Sequence, residues 1–130
     1  MVDVKTKKMK TILIAEDNDF NYLLFVELLR STKHTLIHAQ NGSEAVEICK
    51  TNPNIDLILM DINMPVMNGA EAAEIIKLEN PNIPIIAQTA YDTFGVVEKS
   101  KRKYFCEFTT KPFNGEDFKI LVSKYCDDEK

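Results

Sequence analysis

A chain of 130 residues, 45% hydrophobic and 28% charged, has the size and balance of one globular domain. A formal net charge of -4 speaks against a nucleic-acid binder, which presents a basic face, and no apolar run is long enough to span a membrane. Cys49, Cys106 and Cys126 are widely spaced and form no metal-type pair, and the N-terminus lacks a signal-peptide pattern. Reduced thiols and a cytoplasmic location are therefore expected.

The first ten residues, MVDVKTKKMK, read as a flexible segment ahead of a single domain over 11–126, with a short tail at 127–130. TILIA (11–15) is a short apolar run that predicts a buried strand. Asp17, Asn18 and Asp19 are good N-cap types before the helical stretch FNYLLFVELLR. There Phe20, Leu24 and Leu28 share one face, and Phe25 and Leu29 extend it. The surplus of apolar residues on this helix, Tyr22, Phe25 and Val26, reads as core packing rather than a docking site for a kinase or phosphotransfer helix.

Residues 34–39 form a second, less apolar strand, as an edge requires, and the stretch is too poor in Cys or acidic companions to make His34 or His38 a metal ligand. NGSEAVEICK opens a helix with Ala45, Ile48 and Cys49 inward. A third strand over 55–60 ends at Asp61, and a third helix over 68–78 starts through Gly69. The fourth strand, 83–88, carries Pro84 at its start, where proline is tolerated. A helix over 92–103 is interrupted by Gly95 and crowded with Lys99, Lys101, Arg102 and Lys103, a charge run that reads as a solvated face. A fifth strand over 104–109 and a last helix over 114–125, with Phe118, Leu121, Val122 and Tyr125 at helical spacing, complete the chain.

Strands alternating with helices imply an α/β fold, a doubly wound five-stranded parallel sheet covered by five helices. In such sheets sites lie beyond the carboxyl ends of the strands. Glu16 and Asp17 follow the first strand, Asp61 the third, Thr89 and Ala90 the fourth, and Lys111 and Pro112 the fifth. Three carboxylates facing one ammonium are unbalanced, since two like charges 4 Å apart repel by roughly 4 kcal/mol at an effective dielectric near 20. A hard divalent cation relieves this. Mg²⁺ suits an all-oxygen site and keeps several waters, whereas Zn²⁺ wants His or Cys. The acidic EDND loop at 16–19 would repel a bare phosphate, which excludes a flavodoxin-like nucleotide or flavin binder.

Five stretches, ILIAEDNDFN (12–21), NGSEAVEI (41–48), DLILMDINMPVMNG (56–69), PIIAQTA (84–90) and TTKPF (109–113), resemble the receiver domain of two-component response regulators. The sequence is especially similar to receivers of hybrid histidine kinases. The resemblance implies the flavodoxin-like (receiver) strand order 2-1-3-4-5, which comes from the family rather than from the strand pattern. It implies that Asp61 is the phospho-acceptor, taking a phosphoryl group from a phosphohistidine of a histidine kinase or histidine phosphotransfer protein. Asp17, Asp61 and the backbone carbonyl of Asn63 would be the Mg²⁺ ligands, with Glu16 acting through water. Thr89 would hydrogen-bond the phosphoryl oxygens, and Lys111, joined to Pro112 by a peptide bond usually cis in the family, would pair with them.

Phosphorylation would draw Thr89 inward and let an aromatic, here Phe108, rotate behind it. The fourth helix, fifth strand and fifth helix would then signal to a downstream protein target. Phe108 lacks the hydroxyl of the commoner Tyr, and Tyr104 and Phe105 replace the family's usual Gly-Ala pair. Tyr91 either shields the phosphoryl group from water or simply packs. The implied role is a phosphorelay module, free-standing or part of a hybrid kinase, with no enzymatic activity beyond self-catalysed phosphotransfer and autodephosphorylation. The alternatives are a pseudo-receiver that only binds proteins and a Mg²⁺-dependent phosphatase, the latter disfavoured because Asn63 stands where a second acid would be needed.

Overall fold

The computed structural model describes residues 9–89, 97–110 and 115–126. Five strands, β1 (Thr11–Ala15), β2 (Thr35–Ala39), β3 (Leu57–Asp61), β4 (Ile85–Thr89) and β5 (Glu107–Thr110), form one parallel sheet in the order β2-β1-β3-β4-β5. Among the described residues, the α-helices are α1 (Asp19–Leu29), α2 (Gly42–Thr51), α3 (Gly69–Glu79) and α4 (Gly115–Cys126). Of the predicted helix over 92–103, only 97–103 are described; Lys99 onward lies in a 3-10 helix, Lys99–Tyr104, with Val97 and Glu98 ahead of it.

β1 and β3 lie in the middle of the sheet and are apolar on both faces, so their side chains alternate between two cores. Leu13, Ile58, Met60, Ile85 and Ala87 pack with Ala72, Ala73 and Ile76 of α3 on one side. Ile12, Ile14, Leu57, Leu59 and Ile86 pack with Phe25 and Leu29 of α1 and Phe118 and Val122 of α4 on the other. Each of these buried Leu, Ile and Met side chains contributes roughly 2 kcal/mol on burial. The small residues of α3 let it lie close to the sheet, while α1 and α4 meet it through rings, with Phe25 and Phe118 centroids 5.4 Å apart.

Several details differ from the sequence reading. β4 runs Ile85–Thr89 rather than 83–88, which leaves Pro84 ahead of the strand. β3 starts at Leu57 rather than residue 55 because Asp56 is occupied: its carboxylate accepts the Thr11 N–H at 2.9 Å and its own N–H donates to the Thr11 carbonyl at 2.8 Å. β5 starts at Glu107 rather than 104, because Tyr104 closes the 3-10 helix and the Phe105 N–H donates back to Arg102. The face of α1 is also rotated. Phe25 and Leu29 are buried, but Phe20, Leu23 and Leu24 are exposed, by 75%, 60% and 47%. A helix apolar around most of its circumference gives periodicity little to choose between.

Candidate functional site

The strand register fixes the site. Ala15 pairs with Met60, so the next residue of each strand, Glu16 and Asp61, stand side by side at the carboxyl edge. Asp17 joins them, and one carboxylate oxygen from each of the three lies within 4.8 Å of the others. Glu16 and Asp61 are buried and Asp17 is exposed. At that spacing each pair of charges repels by roughly 3 kcal/mol at an effective dielectric near 20. Oxygen donors alone, two of them shielded from solvent, suit a hard cation that keeps part of its hydration, and Mg²⁺ fits this set.

Glu16 is held along its whole length. Its N–H donates to the Ala39 carbonyl at 2.9 Å. Its Oε2 accepts the Asn18 N–H and the Asn21 side-chain amide, each at 3.3 Å. Its carbonyl lies 2.8 Å from His38 Nε2, a contact that requires the proton on that nitrogen. The His38 ring is in turn stacked on Tyr22, with centroids 3.8 Å apart and planes 3° from parallel. His38 is therefore structural, as its lack of companions implied, but its contact is with the backbone of a site acid.

Asp61 ends β3 and is fixed by the loop that leads to α3. Its Oδ1 accepts the Asn63 N–H at 3.2 Å. The Ile62 N–H donates to the Gln88 carbonyl, and the Gly69 N–H returns to the Ile62 carbonyl at 2.9 Å. Gly69 has to be glycine, since a Cβ there would stand 2.3 Å from the Asp61 carbonyl oxygen and 2.8 Å from Met60 Cγ. Gly42 plays the same part from α2: its N–H donates to the Met67 carbonyl at 3.0 Å, and a Cβ would come within 2.4 Å of that oxygen. Between these two anchors the loop turns through Val66, which adopts a left-handed φ of 70° and is exposed.

Thr89 is the last residue of β4 and is fully buried. Asp61 pairs with Gln88, so Thr89 stands one residue beyond the acid on the neighbouring strand. Phe108 pairs with Ala87 and therefore lies on the same sheet face as Thr89. Phe105 is buried and sets its ring 5.4 Å from that of Phe108 at 57°. Lys111, Pro112, Ala90 and Tyr91 lie outside the described residues. Of the predicted site residues that are described, Glu16, Asp17 and Asp61 meet in one cluster and Asn63 is bonded to Asp61. The sequence reading passes over Asn21 and Gly42, and it takes His38 and Gly69 as structural without linking them to the acid cluster.

Residues 12–123 match the family described as the response regulator receiver domain. The chain is 31% identical over 121 residues to the polar-differentiation response regulator DivK of Brucella anthropi, covering 92% of this chain and 98% of that protein. It is 33% identical over 113 residues, 87% of its length, to a cyclic di-GMP phosphodiesterase of Thermotoga maritima, but spans only 30% of that protein. Among solved structures, the response regulator TrrA of Thermotoga maritima in complex with Mg²⁺-BeF superposes with a TM-score of 0.82 at 31% identity, covering 90% of this chain and 99% of that one. The receiver domain of Ssk1 of Saccharomyces cerevisiae, solved with the histidine phosphotransfer protein Ypd1, gives 0.79 at 29% identity over 94% and 92% of the chains. With the matching strand order, the acid cluster and this breadth of likeness, the chain belongs to the response regulator receiver domain family.

Proposed function

We propose that this domain takes a phosphoryl group from a phosphohistidine onto Asp61 in a two-component or phosphorelay pathway, and passes the change on through its surface. The observation that carries the reading is the convergence of Glu16, Asp17 and Asp61 at adjacent strand tips. In the reaction an Asp61 carboxylate oxygen attacks phosphorus, the bond from phosphorus to the donor imidazole nitrogen breaks, and that nitrogen leaves with the bonding electron pair. A carboxylate is a weak nucleophile, so the gain must come from positioning and from neutralising the equatorial oxygens. Asp17, Asp61 and the Asn63 carbonyl would hold a Mg²⁺ ion, with Glu16 acting through water, and the ion would supply charge neutralisation there. Asn63 N–H fixes the orientation of the Asp61 carboxylate. Thr89 provides a hydroxyl and Lys111 an ammonium for the phosphoryl oxygens.

The added charge on Asp61 would draw Thr89 toward it and free space for Phe108 on the same face. The Phe105 ring against Phe108 makes that rotation depend on both rings moving. The changed face comprises the 92–103 region, β5 and α4, and its reader is a downstream protein. On the input side, Phe20, Leu23 and Leu24 form an exposed apolar strip on α1, directly after the acid loop. A histidine kinase or histidine phosphotransfer helix docking on this strip would bring its phosphohistidine to Asp61. The solved complex of a similar receiver with a phosphotransfer protein supports this partner class. The setting is cytoplasmic, in keeping with the lack of any membrane-length apolar helix among the described residues.

Incubation with Mg²⁺ and acetyl phosphate, followed by intact-mass measurement, tests the reading. A single phosphoryl adduct is expected on the wild type and none on Asp61→Asn. No adduct on the wild type would leave a protein-binding pseudo-receiver, and release of phosphate from unrelated monoesters would indicate a phosphatase.

A further inference from the structure

α1 begins with an unusual hydrogen-bond circuit. Asn18 caps it, its side chain accepting the Asn21 N–H at 2.9 Å. In a capping box the third helical residue is Glu or Gln and reaches back to the N–H of the cap residue. Here that position is Asn21, and its side chain does not reach the cap. The Asn18 N–H is taken by Glu16, and the Asn21 amide donates to the same Glu16 oxygen. Glu16 thus fills the place of the missing Glu, so the box closes through an acid of the cation cluster.

We propose that Asn21 is a positioning residue for the cation: its amide holds the buried Glu16 carboxylate in the orientation that faces Asp17 and Asp61. This rests on the Mg²⁺ reading above. The residue type follows from the charges. A Glu at 21 would close an ordinary box but bring a fourth carboxylate to a cluster already short of positive charge. Asn supplies the neutral donor that a buried carboxylate needs. Tyr22, the next residue, reaches the other end of Glu16 through the stacked His38, so one turn of α1 grips both the backbone and the side chain of this acid. Because Phe20 and Leu23 flank the same turn, force from a docked partner would arrive at Glu16 through it.

Calorimetric Mg²⁺ titration of the wild type, Asn21→Ala and Asn21→Gln, with urea unfolding of each apo protein, is the test. Outer-shell partners of metal ligands typically change affinity by 10–100-fold, and Asn21→Ala is expected to weaken Mg²⁺ binding about tenfold. Asn21→Gln, which keeps the donor, should recover most of the loss at similar apo stability to Asn21→Ala. Equal affinity of wild type and Asn21→Ala overturns the assignment, as does a Gln variant as weak as the Ala variant. A wild type that binds no Mg²⁺ overturns the cation reading itself, and this one with it.

Discussion

The starts of α1 and α3 flank the same acid cluster, yet they are built differently. Both follow a central strand, and both are capped by an Asn whose side chain accepts the N–H three residues on. At α3 the box closes on itself: the Glu71 carboxylate accepts the Asn68 N–H at 3.2 Å while Asn68 accepts from Glu71 at 2.9 Å. At α1 the equivalent circuit runs through Glu16. The α3 start is therefore an anchor, tied to the site by close backbone packing at Gly69. The α1 start is a holder, whose hydrogen bonds end on a carboxylate of the acid cluster. Substitutions at the anchor should change stability, and those at the holder should change cation affinity.

Gly69→Ala tests the anchor most severely. The added Cβ would meet the Asp61 carbonyl and Met60, so either α3 or the end of β3 must shift. Overpacking of this kind costs about 3 kcal/mol, which urea unfolding would read directly. Phosphoryl uptake from acetyl phosphate should fall with it, because Asp61 moves with its own carbonyl. A variant of wild-type stability would show that the contact is not a constraint.

Asn68→Ala is milder and more discriminating. Losing an N-cap side chain costs about 1 kcal/mol. Since the α3 box contains no acid of the cluster, Mg²⁺ affinity measured by calorimetry should stay at the wild-type value. A fall matching that of Asn21→Ala would erase the distinction between anchor and holder.

The smallest effect belongs to a carboxylate remote from both starts. Glu107 on β5 accepts hydrogen bonds from Lys124 at 2.8 Å and from the Tyr125 hydroxyl at 2.6 Å. These hold its carboxyl below the ordinary range. Its folded value being the lower one, it adds stability above its unfolded value, and that contribution disappears as the pH falls through the folded value. Glu107→Gln should thus narrow the stability gap to the wild type as the solution is acidified from neutrality. The gap should be the same with and without Mg²⁺. A Mg²⁺-dependent difference would mean that β5 senses the cluster.

How much could be read from the sequence tracks how local the determining physics is. The central strands announce themselves because LILM and ILIA have nowhere to go but a core with two faces. The acids at their ends follow from chain order, since a parallel sheet gathers the carboxyl tips at one edge. The register that sets Glu16 beside Asp61 is a property of the folded sheet that strand order alone does not supply. Boundaries failed where side chains compete with the ladder: Asp56 binds Thr11 in place of starting a strand, and two aromatics with high strand propensity, Tyr104 and Phe105, end a 3-10 helix. The rotation of α1 was hidden by its all-round apolarity. Asn21 could have been suspected from one sign only, an Asn where a box wants Glu, but its bond depends on three-dimensional placement that no spacing rule supplies.

The outer strands also bear on how copies of this molecule meet. Among the described residues, β2 and β5 each have one hydrogen-bonded neighbour and so present an edge that another chain could extend. On β2 the His38 ring is already covered by Tyr22, and the strand is preceded by Lys33 in a left-handed turn. On β5 a hydrogen-bonded triad of Glu107, Lys124 and Tyr125 stands at the start of the strand. A second sheet extending β5 would have to strip water from the Glu107–Lys124 ion pair. Charged and packed side chains beside an edge are among the devices by which natural sheets avoid edge-to-edge aggregation.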